Sequence, residues 1–189
     1  MKRMGPPTAK QARPEHGGVG RTSSKTAERV SDDLRLGHGP ELTARRRTGA
    51  LLLGSCTALG AVALYQLGVI RHLPEPPLPF LDADRLDASG EAYQAGRTPD
   101  SALGIVSYAA SLALVGMGTA KRAQERPLIP LLAFAKLSVD AIGALGLTAE
   151  QLTKHRALCS YCLVAAGASV AAVPVALPEA RAAWSQMRS

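Results

Sequence analysis

Residues 48–70 read TGALLLGSCTALGAVALYQLGVI, a stretch of 23 residues without a charged side chain. A helix that crosses a bilayer needs about 20 consecutive, mainly apolar residues. Three consecutive arginines stand directly before the stretch, in the position where basic side chains flank a membrane span. The stretch therefore predicts a membrane helix and argues against a soluble globular domain. Four small residues inside it would let another helix pack closely: Gly54, Ser55, Ala58 and Gly60.

Three further stretches have the same apolar character and a similar length, and they are residues 101–120, 127–147 and 157–178. Because the backbone polar groups must be satisfied within the chain in lipid, such stretches span as helices. The sequence therefore predicts an all-α, integral membrane four-helix bundle.

Two charged residues interrupt the third stretch. Lys136 and Asp140 lie four residues apart, on one face of the predicted helix. Because ions are costly in hydrocarbon, we expect the two side chains to face the interior of the bundle and to pair. The pair is either a self-neutralising structural contact or the polar wall of a ligand cavity or proton path.

The positive charge of the chain is concentrated before the first stretch. The whole chain has a net charge of +7, and residues 1–47 hold eleven Lys and Arg against five Asp and Glu. Residues 1–40 are rich in Gly, Pro, Ser and Thr and lack apolar periodicity. We therefore predict a disordered basic cytoplasmic tail over residues 1–47, either solvated or held against an anionic lipid surface. Residues 181–189 are expected to form a second cytoplasmic tail.

The loops indicate an orientation in the membrane. Residues 121–126 read KRAQER and are basic, whereas the long connection of residues 71–99 is acidic overall. By the positive-inside rule both termini lie in the cytoplasm, and residues 71–99 and 148–156 face the opposite compartment. Within the connection, residues 81–93 favour one short amphipathic helix.

Cys159 and Cys162 form a Cys-x-x-Cys motif at the start of the fourth stretch. At this spacing a disulfide can close within one helical turn, and the helix dipole and free N–H groups favour a thiolate on Cys159. A thiolate is the attacking species in disulfide exchange. The pattern favours redox chemistry, with packing of two small apolar side chains or half of a zinc site as alternatives. No metal is expected, and Cys56 is expected to be a packing residue.

Two segments resemble the vitamin K epoxide reductase family. HRALCSYCLVAAGASVAAV, residues 155–173, resembles the redox helix of that family, and SALGIVSYAASLALVGMG, residues 101–118, resembles its second helix. The likeness extends over residues 48–180. It implies a membrane thiol–quinone oxidoreductase that supports disulfide formation outside the cytoplasm. It further implies that Cys162 meets the quinone, menaquinone or ubiquinone, and that Cys159 exchanges disulfides with a partner cysteine.

The resemblance also implies a binding site and partners. Ser101 is the nearest match to a serine that helps the family to bind quinone. Independently of the resemblance, the residue types make Ser107, Tyr108, Ser111 and Tyr161 candidates for hydrogen bonds to a quinone carbonyl, with ordinary helix packing as the alternative. The expected partners are the lipid bilayer, a quinone and a thioredoxin-like periplasmic protein, with no nucleic acid. The expected location is a bacterial inner membrane, crossed several times.

The sequence departs from the family in the connection after the first span. Members usually carry two more cysteines there, whereas residues 71–99 contain none. Either an outside thioredoxin-like protein reacts directly with Cys159, or the relay is lost. The alternative function is therefore a non-catalytic helical membrane protein that scaffolds a partner or binds a lipid or quinone.

Overall fold

The computed structural model of the protein describes residues 24–188, which form helices joined by loops. A 3₁₀ turn, Gly90–Tyr93, and a π-helical turn, Gln151–His155, supplement the α-helices. The α-helices are α1 (Lys25–Leu36), α2 (Pro40–Gln66), α3 (Ala83–Asp87), α4 (Asp100–Gly116), α5 (Arg122–Glu125), α6 (Leu128–Glu150) and α7 (Ser160–Arg188).

Four of these helices pack in pairs around a shared core. Helix α2 lies against α4 and α7, and α6 lies against the same two helices. Leu52, Tyr108 and Leu137 are buried where they meet. Ser55 is completely buried and its hydroxyl donates to the carbonyl of Ala165 at 3.1 Å, so a small side chain brings α2 close to α7.

The small residues of α2 divide into two groups. Ser55 and Ala58 are buried in the core, as the prediction of close packing requires. A Cβ placed on Gly54 or on Gly60 would meet nothing within 4 Å, so the same prediction is wrong for the two glycines.

Three helices in residues 24–188 are long and apolar enough to cross a membrane: Pro40–Gln66, Leu128–His155 and Ser160–Arg188. Their outward faces carry large aliphatic side chains, such as Leu132 and Ile142 on α6, which are 58% and 69% exposed. In water such surfaces would drive association, and lipid covers them. The predicted all-α membrane class is confirmed.

Helix α4 is shorter than the other three. Its 17 residues rise about 26 Å, less than the hydrocarbon core of about 30 Å. It ends at Gly116 because the chain turns at Gly118, whose φ is +87°. The fourth membrane span, expected over residues 101–120, therefore stays a prediction.

The prediction of a disordered tail is wrong for residues 24–47, and residues 1–23 lie outside the described part of the chain. Ser24 caps α1 by accepting the N–H of Ala27 at 3.2 Å. At the other end Arg46 of α2 donates to the carbonyls of Leu34 and Gly37. Backbone groups at both ends of α1 thus have side-chain partners, and the partner at its C-terminal end belongs to α2.

The arginines before the first apolar stretch are part of α2, because Arg45 has buried partners. Its guanidinium donates to five main-chain carbonyls in the last turn of α4 and in the loop that follows, at 3.0–3.2 Å. These carbonyls would otherwise lack partners at the end of a helix. Helix α2 thus begins at Pro40, eight residues before the predicted span.

Helix α7 extends beyond its predicted end at residue 178 and reaches Arg188. Glu179 is buried, and Arg122 of α5 pairs with it at 2.6 Å. A buried carboxylate needs such a partner, and the pairing holds the extension of α7 against α5. Residues 181–188, predicted as a tail, are therefore helical.

Candidate active site

The two cysteines of the motif lie at the start of α7. Cys159 directly precedes the first helical residue, and Cys162 lies in the first turn. The N–H of Cys162 donates to Sγ of Cys159 at 3.3 Å, so Cys159 takes the place of a helix cap. Both cysteines are free thiols, Cys159 completely buried and Cys162 half-buried. The two sulfur atoms thus lie within one helical turn of each other, as the spacing predicts, without an S–S bond between them.

The connection of residues 71–99 packs against the cysteine pair. Leu158, next to Cys159, forms a two-hydrogen-bond bridge with this segment: its N–H donates to Phe80 at 2.8 Å and its carbonyl accepts from Asp82 at 3.0 Å. On the other side, the N–H of Cys159 donates to Oε1 of Gln151 at 3.2 Å. The main chain on both sides of Cys159 is thus held by neighbouring elements.

Glu75 ties the connection to the start of α7. One carboxylate oxygen accepts the N–H of Ser160 at 2.7 Å, and the other accepts the N–H of Ala83 at 2.6 Å. Both N–H groups stand at the beginning of a helix, α7 and α3 respectively, where a negative charge is stabilising. A single carboxylate therefore joins the two helices that carry the groups of the site.

Helix α3 contributes a buried carboxylate. Ala83, Leu86 and Asp87 form its inward face, and the carboxylate of Asp87 and both cysteine Sγ atoms lie within 4.8 Å of one another. Burial raises the pKa of Asp87 to about 7, the interaction with the Cys159 thiol opposes that rise, and Asp100 adds to it.

The burial of Cys159 and its acidic neighbour Asp87 argue against the predicted thiolate. The helix start was predicted to favour a thiolate on Cys159, and the N–H of Cys162 does point at its sulfur. Complete burial beside Asp87 disfavours the charged form of that thiol. The helix dipole is therefore outweighed by desolvation and like-charge repulsion.

Two thiols and one carboxylate are one donor short of the four-ligand set of structural zinc. The expected absence of a metal stays a prediction.

A cavity of about 350 Å³ opens beside Cys162. Three of the predicted quinone-binding residues, Ser101, Ser107 and Tyr108, line it together with Cys162. Tyr161 is not among the lining residues, and its hydroxyl donates to the carbonyl of Pro74 at 2.6 Å. Tyr161 therefore holds the connection in place, and its predicted contact with a ligand stays a prediction.

The hydroxyl of Ser101 is already engaged. Ser101 is buried and donates to Oε1 of Gln66. The amide nitrogen of Gln66 donates in turn to Oδ1 of Asp100 at 2.7 Å. This chain of hydrogen bonds joins α2 to the start of α4 and orients the serine at the wall of the cavity.

The predicted pairing of Lys136 with Asp140 is confirmed, at 2.5 Å. Asp140 also accepts the hydroxyl of Ser107 at 2.7 Å and that of Ser111. The ammonium group of Lys136 donates to Oγ of Ser107 at 2.8 Å. Since Asp140 and Ser107 line the cavity, this cluster forms a polar part of its wall.

The cavity fits a quinone ring. Small-molecule sites are mostly apolar spaces of roughly 300–1,000 Å³ with a few placed polar groups. This space has apolar walls, such as Leu59 and Val62, and polar side chains such as Asp140 and Ser107. A ring in this space would have both the Cys162 thiol and hydrogen-bonding groups in its walls.

The fold and the site define a helical membrane protein with two cysteines beside a mainly apolar, partly open cavity. The profile of the vitamin K epoxide reductase family matches residues 48–177, and the chain belongs to that family. Family membership makes it a membrane oxidoreductase of the thiol–quinone type at the level of the family. No curated protein and no solved structure matches the chain.

The sequence analysis missed three residues that shape the site: Asp87, Gln66 and Gln151. The only available signal for Asp87 was its spacing, because Ala83, Leu86 and Asp87 share one helical face that the structure buries. Gln66 and Gln151 carry no such signal. The role of Gln66 depends on Ser101, which is distant in sequence. The role of Gln151 depends on Cys159, which belongs to a different element.

Proposed function

We propose that the chain is a membrane thiol–quinone oxidoreductase in which Cys159 and Cys162 cycle between dithiol and disulfide. The proposal rests on the position of Cys162, which lies between Cys159 and the cavity. Its N–H contacts the sulfur of Cys159, and its side chain lines the cavity that holds Ser101, Ser107 and Tyr108. A group placed in this way can receive electrons from one side and pass them to the other.

In the reaction, two electrons leave the two sulfur atoms as the S–S bond forms. When bound, menaquinone or ubiquinone supplies the electron acceptor, and it gains two electrons and two protons. The residues of the chain hold the ring beside Cys162 and exclude water with an apolar wall. Ser107 accepts from Lys136 and donates to Asp140, and we propose that it turns this donation to a carbonyl oxygen when a ring is bound.

The partner that returns the pair to the dithiol is proposed to be a thioredoxin-like periplasmic protein. The acidic connection and the basic 121–126 loop support an orientation with both termini in the cytoplasm and four spans in a bacterial inner membrane. The cysteine pair then faces the periplasm, where disulfides form. Because the connection covers Cys159 completely, we infer that exchange with a partner requires the connection to move away.

Reduction of a soluble quinone analogue by dithiothreitol, catalysed by the purified protein in detergent, tests the proposal. We expect Cys162→Ser to lower the rate to that of buffer alone, because the remaining thiol cannot form the disulfide. Cys56→Ala is the matched control: it removes a thiol of α2 that does not line the cavity and should keep the wild-type rate. Equal rates for wild type and Cys162→Ser would favour the non-catalytic alternative.

The state of the pair in membranes gives a second readout. Thiol labelling of Cys159 and Cys162 should increase when cells are depleted of quinone, because the dithiol then lacks its acceptor. Labelling that does not change on depletion would contradict the proposed electron flow.

A further inference from the structure

Asp87 is the acidic side chain nearest to the reactive sulfur atoms. Only 3% of it is exposed, and its carboxylate lies within 4.8 Å of both Sγ atoms. Within residues 24–188 its Oδ2 atom has no hydrogen-bond partner. Because buried polar atoms almost always have a partner, an unpartnered carboxylate oxygen beside two thiols indicates a group that can take a proton from one of them.

The surroundings of Asp87 are acidic. The titratable groups that act on it come from α7, from the connection, from α4, from its own helix and from α2: Cys159, Cys162, Glu75, Asp100, Asp84 and Tyr65. A carboxylate and two thiols in an apolar pocket cannot all be ionised at once. The three groups therefore compete for protons. The pKa of Asp87, raised to about 7 by burial, lets it hold or release a proton near neutrality.

We propose that Asp87 is the proton acceptor of the dithiol: its carboxylate takes the proton of a cysteine thiol when the disulfide forms. The inference rests on the proposed function for its physiological oxidant. It also assigns a role to the connection, which contains no cysteine and instead presents a carboxylate to Cys159.

One thiol loses its proton to Asp87, the resulting thiolate forms the S–S bond with the other sulfur, and two electrons pass to the quinone. The proton of the second thiol passes directly to the quinone, and Asp87 gives its proton to the quinone through the cavity, which it lines together with Cys162. Dithiol and quinone thus yield disulfide and quinol, with no net change at Asp87. In the reverse direction Asp87 returns the proton to the leaving thiolate.

The test follows the oxidation of the cysteine pair in the full-length protein, by acid quenching and mass-tagged alkylation, from about pH 5.5 to about pH 8.5. The wild-type rate should rise through about pH 7, where Asp87 becomes a carboxylate. Above that pH, Asp87→Asn should lower the rate roughly 100-fold, which is the low end of the effect of general base catalysis. The variant should also lack the rise of the rate at about pH 7. Asp87→Glu, which keeps the acid, should retain a pH step.

A matched control removes a carboxylate elsewhere. Glu125→Gln makes the same chemical change on α5, where the side chain is exposed and accepts the hydroxyl of Thr119, and it should keep the wild-type rate and pH profile. Size-exclusion chromatography and thermal unfolding establish that each variant is folded. An amide of the same size at position 87 is expected to fold, because it introduces no charge into the pocket.

Two oxidants separate the inference from the proposed function. A soluble quinone analogue tests both, whereas diamide, which oxidises thiols without a quinone site, tests Asp87 alone. Oxidation by diamide with an Asp87-dependent pH step, but none by quinone, would support Asp87 and overturn quinone reduction. Wild-type rates and pH profiles for Asp87→Asn with both oxidants would overturn the role of Asp87.

Discussion

Asp87 also links the site to the stability of the protein. In the folded protein its pKa is about 7, against 3.8 for the ordinary carboxyl, because burial disfavours the charge. Between these values the folded chain keeps a proton that the unfolded chain releases. The free energy of unfolding therefore falls as the pH rises from about 4 to about 7, and the loss persists at higher pH.

Asp87→Asn removes this titration, so its effect on stability should depend on pH. We expect the difference in Tm between Asp87→Asn and wild type to move in favour of the variant between about pH 5 and about pH 8.5. Thermal unfolding in detergent at the two pH values measures it. A difference that is independent of pH, or that moves toward wild type, would mean that Asp87 is not protonated in the folded state.

Helix ends, more than helix interiors, carry the functional groups of this protein. The start of α7 supplies the cysteine pair, α3 ends at Asp87, and Glu75 caps α3 and α7 together. The connection thus reaches Cys159 through a few polar contacts and the bridge at Leu158. Weakening these contacts should open the cover over Cys159 and leave the long helices intact.

Glu75→Gln tests this element directly. The neutral amide accepts one N–H in place of two and loses the favourable charge at the helix starts. Since the loss of one helix cap costs about 1 kcal/mol, we expect Cys159 to react with a maleimide roughly fivefold faster. The assay uses a background of Cys56→Ala and Cys162→Ala, in which Cys159 is the remaining thiol.

Glu125→Gln in the same background again serves as the control for charge removal, and its alkylation rate should match that of the background. If Glu75→Gln gave this same rate, the connection would be held over Cys159 by apolar packing with Leu73 and Leu86 rather than by Glu75.

At the scale of the whole molecule, the distribution of charge predicts the orientation of the bundle. The connection and the 121–126 loop lie at opposite ends of α4, and they differ in sign of charge. With both termini in the cytoplasm, the connection is outside and the basic loop inside.

Single cysteines at exposed positions measure this topology. In a cysteine-free background, Gln94→Cys in the connection should react with a membrane-impermeant maleimide in intact cells. Lys121→Cys should react only after the membrane is permeabilised. The reverse pattern would invert the orientation, and labelling of both positions in intact cells would mean that α4 does not span the membrane.

The sequence by itself determined the membrane class, the apolar helices and the cysteine motif, because these depend on local composition and on spacing along one helix. The pairing of Lys136 with Asp140 could be predicted for the same reason, since residues four apart share a helical face. The extension of α2 to Pro40 and of α7 to Arg188 could not, because Arg45 and Glu179 owe their helical places to partners far along the chain.

Only the tertiary structure decided the chemistry around the sulfur atoms. It brought Asp87, 72 positions before Cys159, beside both thiols, it turned Tyr161 away from the cavity, and it buried Cys159 against the expected thiolate. The physical reason is that desolvation and proton competition depend on which groups meet in space. Neither can be read from the sequence, because these groups are far apart along the chain.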